Sequence, residues 1–471
     1  MVVLGRLPPP LRGRWRFKPE ACLRQDAPEG GGELRCICVL RAPPSVPSGH
    51  PPRKGGGKAQ LAFWILLAAA LSCAPPAMAT DKKPNAAPVA AAAIPPAPRT
   101  LEDLIAVLEG ESKKAGVQPA TIRRVLAGHE REPDVMGLAS AQTEHERTVG
   151  QYLTLLVTPE RIELGRRKLG EHARLLEAIE ARYGVDRHVL VALWGVETRF
   201  GAALGSRPVI RALTTLALED PRRPEFWRAE LLQALRIVER GDVAVDAMQG
   251  SWAGAIGHTQ FMPSTFNRFA VDFDGDGRRD LMGSIADGLA SAANYLSHSG
   301  WQRGSPWGVE VVLPDGFDHA LSTPTPLRPL TFWSERGVRR PGGAALPVSA
   351  LDHRLLLPAG VAGPAFLVNR NFTALLRYNP AIPYALAVSH LGDRIAGRAA
   401  FATPWPDEPS LARADRQELQ QRLAALGLDT GGVDGIIGSL TREAIRSYQR
   451  AQSLPQDGHP SAGLLERLRT Q

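Results

Sequence analysis

Chemistry is first legible at residues 186–201, DRHVLVALWGVETRFG. Asp186 is of helix-capping type and Gly201 of helix-stopping type, so the stretch between them predicts one helix. Within it Leu190, Leu193, Trp194 and Glu197 fall at i, i+3, i+4 and i+7, which sets a carboxylate on an apolar face. Burial disfavours the charged form, and a rise of two pKa units corresponds to about 2.7 kcal/mol, enough to keep the group partly protonated near neutrality. A general acid needs that state. The competing account is an ion pair of Glu197 with Arg199 or Arg187 that merely closes a packing edge, and spacing alone favours it. Residues 250–264, GSWAGAIGHTQFMPS, are crowded with small side chains yet carry Ser251, Trp252, His258 and Gln260. Such a backbone can approach a ligand while hydroxyl and amide groups are presented to it, as recognition of a polar sugar requires. A tight turn between helices would use the same glycines and alanines.

Residues 272–280, DFDGDGRRD, suit a calcium loop. Asp272, Asp274 and Asp276 supply oxygens at positions 1, 3 and 5, Gly277 makes the turn at 6, Arg278 stands at 7, and Asp280 at 9. The twelfth position is Gly283, so the bidentate glutamate is missing, and a metal-free Asp/Gly turn is the alternative.

The elements that must position these groups read as mostly helical. Leu101, Leu104, Ile105 and Leu108 mark one helical face, followed by patterns over 121–126, 152–162, and a long run over 162–183 that stops at Gly184. Further helices are predicted over 185–200, 224–240 and 285–299. A strand-like piece appears at 307–313, with Val309, Val311 and Leu313 on one face, giving a mainly α domain with a small β-containing insertion. A Pro-rich stretch at 403–410, TPWPDEPS, separates off a last unit with two related phrases. Asp434-Gly435 leads through Thr441 to Ile445, and Asp457-Gly458 leads through Ser461 to Leu465. Each offers an Asp-Gly turn, a hydroxyl N-cap and an apolar helix start. Leu419, Leu423 and Leu426 with Ala444, Ile445 and Tyr448 would close a small three-helix core.

The chain has 471 residues, 44% apolar and 22% charged, which predicts two or three folded units and excludes a disordered or collagenous chain. Its formal charge of +8 is concentrated at the start: residues 1–79 hold 11 of the 56 Lys and Arg and 4 of the 48 Asp and Glu, leaving 45 basic against 44 acidic residues. No electrostatic argument for nucleic acid survives. Cys22, Cys36, Cys38 and Cys73 all precede Thr80, so the remainder needs no disulfide and binds no thiolate metal. Arg53, Lys54 and Lys58 precede the apolar run at 61–71, and Ala77-Met78-Ala79 offers a small-x-small cleavage site, as in a secretory signal. The run is short for a spanning helix. Cys73 raises lipoprotein cleavage as an alternative, against which stands Ala70 where leucine is expected. Residues 1–50 read as structureless, with an over-extended start of the reading frame as one account of them.

Taken together and in order, WGVETRFG, GSWAGAIGHTQFMPS, DFDGDGRRDL followed by ASAANYL, and RYNPAIPYALAVSHL resemble the membrane-bound lytic murein transglycosylase B family. The resemblance implies a lysozyme-like α-helical domain over 100–400 that cleaves the β-1,4 bond between N-acetylmuramic acid and N-acetylglucosamine of peptidoglycan, leaving 1,6-anhydromuramoyl ends. It implies Glu197 as the single catalytic acid, with Arg199, Ser251, Gln260, Tyr378, Asn379 and Tyr384 in the substrate-binding set. It also suggests that the aspartate loop is closed by a later residue, Asp287, in a weak structural Ca²⁺ site, with no organic cofactor. A two-carboxylate hydrolase would need a second acid across the bond, and none of these motifs supplies one at an obvious place. The last unit resembles the repeated-helix peptidoglycan-binding domain. The division that follows is a leader with signal over 1–79, a Pro/Ala linker over 80–99, the catalytic domain over 100–400, a linker over 401–412 and the binding domain over 413–471. A periplasmic enzyme acting on glycan strands is expected, with outer-membrane association if Cys73 is lipidated. A non-catalytic wall-binding scaffold and a hydrolytic muramidase are the other two readings.

Overall fold

The computed structural model describes residue 98 and residues 100–141, 147–322 and 326–470. The signal, Cys73 and nearly all of the Pro/Ala linker lie outside the described residues. Thr100 opens the first helix, α1 (Leu101–Ala115), with a capping box in which its hydroxyl accepts from the Asp103 amide and the Asp103 carboxylate accepts from its own, each at 3.1 Å. Helices α2 (Pro119–Leu126) and α3 (Val135–Ala141) follow. They share a core with α8 (Val209–Glu219), α9 (Pro224–Glu239) and α10 (Pro263–Phe269), built around Leu104, Leu108, Leu213, Leu235 and Phe266.

A second core gathers α4 (Val149–Leu156), α5 (Pro159–Glu171), α6 (Ala173–Tyr183), α7 (Arg187–Thr198), α11 (Ile285–His298), α13 (Arg370–Tyr378) and α14 (Ile382–Ile395). Two sequence-predicted helices are divided here. The run over 152–162 breaks where Thr158 caps α5 and Pro159 takes its first position, a slot proline fills without losing a hydrogen bond. The run over 162–183 breaks at His172 (φ −111°, ψ 22°), just past Gly170. The two halves then pack on different neighbours, α5 against α7 and α14 and α6 against α7 and α11.

Helix α7 is the axis of this core. Its pattern suggested one apolar face, but every residue from Val189 to Thr198 is buried. The polar face expected of a surface helix is absent because α5, α6, α11 and α14 surround it.

The β insertion is an antiparallel three-stranded sheet in the order β3 (Gly308–Val311), β6 (Ala365–Val368), β4 (Arg354–Leu356), with Val311 opposite Ala365 and Leu356 opposite Phe366. Its central strand is buried throughout, and α12 (Leu330–Glu335) closes a small core on it through Trp333. Two-residue strands β1 (Arg207–Pro208) and β2 (Gln249–Gly250) pair beside α8, and β5 (Pro358–Val361) follows β4.

The C-terminal unit has α15 (Arg413–Ala425), α16 (Ser439–Ala451) and α17 (Ala462–Arg469) around Leu419, Leu423, Ile445, Tyr448 and Leu465. Leu426 stands outside this core, 52% exposed, because α15 ends at Ala425. Ser461 caps α17 as expected. Thr441 does not cap α16, which begins at Ser439. Its hydroxyl instead donates to the Thr430 carbonyl at 2.9 Å. The two Asp-Gly phrases share a different device. Gln420 gives its amide to Asp434 (3.0 Å) and accepts from the Gly435 N–H (2.7 Å), while Gln449 gives its amide to Asp457 (2.7 Å) and accepts from the Gly458 N–H (2.9 Å).

The Pro-rich stretch is held rather than loose. Glu310 accepts from the Ala402 and Thr403 amides at 2.8 Å each, and Trp405 covers Gly150, where a Cβ would stand 2.7 Å from the Trp405 Cβ.

Candidate active site

The local fold at the end of α7 explains its glycines. After Thr198 the chain passes through three positive φ values, Arg199 at 51°, Phe200 at 58° and Gly201 at 86°. For the two non-glycine residues this costs on the order of 1–2 kcal/mol each. The turn folds the Phe200 ring back beneath the helix, where a Cβ on Gly195 would lie 2.5 Å from it. A Cβ on Gly201 would lie 2.7 Å from the His258 ring, so this glycine lets residues 250–264 approach α7. Two bonds join the segments: the Thr198 hydroxyl donates to the His258 carbonyl at 2.9 Å, and the Trp194 indole donates to His258 Nδ1 at 3.1 Å.

Glu197 is 2% exposed. Its Oε1 accepts from the Tyr384 hydroxyl at 2.5 Å, and its Oε2 is buried with no protein partner. Burial pushes its carboxyl up to about 8, against the opposing pull of the Tyr384 bond. The ion pair that competed for Glu197 is not formed by Arg187, which lies between Glu180 (2.5 Å) and Glu177 (2.8 Å). Arg199 occupies the left-handed C-cap of α7, its charge felt by the half-buried Arg161. Tyr384 stacks parallel to Tyr378 at 6.4 Å and 4°, and the Tyr378 hydroxyl donates to the Thr259 carbonyl. The late motif thus spans from the acid to the small-residue segment.

Gln260 adopts φ 51° and gives its amide to the Gly257 (2.9 Å) and Leu204 (3.1 Å) carbonyls, leaving Oε1 buried and unpaired. Ser251 accepts from the Ala255 N–H at 2.9 Å, and Asn379 from the Ala381 N–H at 3.1 Å, so both hold local backbone. The structure therefore joins Glu197, Tyr384 and Tyr378 to the Thr259–Gln260 backbone, while the recorded bonds of Ser251 and Asn379 stay local. Tyr152, on α4, was not legible as part of this site: it is buried, and the nearness of Glu197 reinforces the rise of its hydroxyl. Its helical spacing is that of any core aromatic.

In the aspartate loop, carboxylate oxygens of Asp272, Asp274 and Asp276 lie within 4.8 Å of one another. Asp280 and Asp287 stand outside that cluster. Asp280 Oδ1 accepts from the Met282 and Gly283 amides, while Asp287, fully buried, accepts from Phe273 (2.7 Å) and Asp280 (2.8 Å) amides and so braces the loop from inside. Arg278 donates to Asp276 at 3.5 Å. The cluster is an all-oxygen, hard donor set of the kind calcium takes.

Residues 100–393 match the family model described as the transglycosylase SLT domain. The chain belongs to that family. Residues 412–468 match a second model, the putative peptidoglycan binding domain. Membrane-bound lytic murein transglycosylase B of Escherichia coli K12 is 31% identical over 258 residues, 52% of this chain and 67% of that one. The crystal structure of SltB3 from Pseudomonas aeruginosa in complex with NAG-anhNAM-pentapeptide is 47% identical, with a TM-score of 0.75 over 79% of this chain and all of that one. The Escherichia coli lytic transglycosylase Slt35 in complex with calcium is 28% identical, with a TM-score of 0.53 over 63% of this chain and 92% of that one. This transglycosylase is thus a lytic enzyme of murein with a lysozyme-like helical fold and a C-terminal helical unit.

Proposed function

We propose that the enzyme cleaves the bond between N-acetylmuramic acid and N-acetylglucosamine with Glu197 as its one acid and base, releasing 1,6-anhydromuramoyl ends. The observation that carries this is a carboxyl group buried, held by Tyr384 on one oxygen and unpaired on the other, and kept protonated at neutrality. Burial and Tyr384 set its state, and among the described residues no second carboxylate acts on it. Oε2 gives its proton to the leaving O4 as the C1–O4 bond breaks. The resulting carboxylate takes the proton of the sugar's own 6-hydroxyl as O6 bonds to C1, so the proton balance closes without water. The acetamido group supports the positive charge at C1 in between. Mass spectrometry of products from purified sacculi tests this: anhydro ends are expected, whereas reducing ends would mean hydrolysis and no release would mean a scaffold.

The raised carboxyl has two pH consequences. The value of kcat/KM should hold through neutrality and fall above about pH 8, as the acid loses its proton. Stability moves the same way: between pH 4.5 and about 8 the folded state keeps a proton the unfolded chain releases, so stability declines as pH rises. Relative to wild type, Glu197→Gln should melt at nearly the same temperature at pH 4 and at a higher one at pH 9.

Asp272, Asp274 and Asp276 would hold a Ca²⁺ ion that pins the loop before α11. Millimolar Ca²⁺ should raise the melting temperature of wild type but not of the Asp274→Ala/Asp276→Ala double variant, since binding to the folded state alone stabilises by mass action. Identical melting of metal-free and Ca²⁺-loaded wild type would sink this assignment.

The division we propose is a catalytic domain over 100–400 and a wall-binding domain over 413–471. Export by the signal over 53–79 places the enzyme in the periplasm, and lipidation at Cys73 is the route by which it would join a membrane. Among the described residues no helix is long and apolar enough to cross one.

A further inference from the structure

A cleft of about 370 Å³ lies where the sheet insertion meets the C-terminal unit. Glu197 does not border it. Leu376, Ile382 and Pro383 form part of its apolar wall, while Tyr378 and Tyr384 of the same stretch belong to the site around the acid. The two sides of the joint are fixed to each other, because Val361 of β5 donates its N–H to Asp457 Oδ2 at 3.0 Å and His459 lies 2.6 Å from Glu408.

Arginines outnumber acids in the lining. Arg354 comes from β4, and Arg442 and Arg446 from α16. The Arg354 side chain has no hydrogen-bond or ionic partner among the described residues, and burial disfavours its charge. Arg446 has an 8% exposed side chain that makes one bond, to Glu443 at 3.2 Å, and its Nε is buried and unpaired. Arg442 donates to the Gly458 carbonyl at 3.3 Å, its charge disfavoured by burial and by Arg446 beside it. The acids that line the cleft are already engaged: Asp457 accepts from Gln449, His459 and Val361, and Glu408 lies against His459. A guanidinium withdrawn from water without a matching carboxylate, as Arg354 is among the described residues, is costly unless an anion joins it. The planar fork of arginine suits carboxylate or phosphate.

We propose that this cleft binds carboxylates of the peptide stems carried by the glycan, through Arg354, Arg442 and Arg446. A peptide is favoured over free phosphate because the walls formed by Leu376, Ile382, Pro383 and Trp405 would cover its apolar groups, whereas phosphate would leave them bare. The inference rests on the reading of the enzyme as a murein lyase, since the stems accompany the strand that Glu197 would cut.

The test is calorimetry on the full chain with two probes, NAG-anhNAM-pentapeptide and the same disaccharide without peptide. Wild type should bind the peptide-bearing probe more tightly. That preference should shrink about tenfold in Arg354→Ala, as loss of one charge-assisted bond implies, and further in Arg354→Glu. Because the Arg354 side chain has no partner among the described residues, both variants should fold, which their melting temperatures would verify. An unchanged preference in both variants would overturn the proposal. So would inorganic phosphate binding the cleft while wild type shows no preference for the peptide-bearing probe. Product analysis on wild type tests the lyase reading separately, so either can fail alone.

Discussion

Replacing Glu197 by glutamine should lower turnover on murein by at least about 10²–10⁴-fold, the usual contribution of general acid–base catalysis, while binding and fold are retained. The amide can still accept from the Tyr384 hydroxyl, so the contact between α7 and α14 survives. It cannot donate and then recover a proton at the unpaired oxygen. Because this one group would serve both half-steps, its loss is softened by no neighbouring carboxylate among the described residues. Residual activity within about threefold of wild type, measured as anhydro product released from sacculi, would remove Glu197 from the mechanism.

Removal of residues 412–471 should cut co-sedimentation with insoluble murein by about 10²-fold, the scale on which tethering raises local concentration. Cleavage of short, peptide-free strands should stay within about threefold, since every proposed catalytic residue precedes the cut. Peptide-free strands are the proper substrate, because Arg442 and Arg446 leave with the deleted unit. Equal loss on both substrates by a truncated enzyme whose circular dichroism is native would instead make the C-terminal helices part of the active site.

The helical class, the position of Glu197 and the segments around it were readable because apolar spacing, capping residues and small-residue runs are local signals. The Asp186 cap accepts from the His188 amide as its type suggests, and α1 begins with the Thr100 box. Two helices were read as continuous because their apolar period runs through Thr158-Pro159 and His172. The first break had a usable local signal, and the second did not. The full burial of α7 could not be read either, since a helix wrapped on every side differs from an amphipathic one only through its neighbours. The same holds for Tyr152 and for the bond between Tyr384 and Glu197, 187 residues apart. How the Pro-rich stretch is held was not readable either. Its composition is that of a linker, and Glu310 and the packing of Trp405 on Gly150, both distant in sequence, fix it in place.

The glutamine clamps of the C-terminal unit have a consequence of their own. An element made twice offers two equivalent faces, and among the described residues only the Asp of the second is bonded to the catalytic part. Asp457, in the second copy, is tied to Val361, whereas Asp434, in the first, stays exposed beside Val433 and Ile436, which are 48% and 56% exposed. Attachment to the catalytic part therefore does not blind the whole unit. A substitution in the second turn should disturb the joint, one in the first should leave it untouched, and duplication has separated two demands that a single turn would have had to meet together.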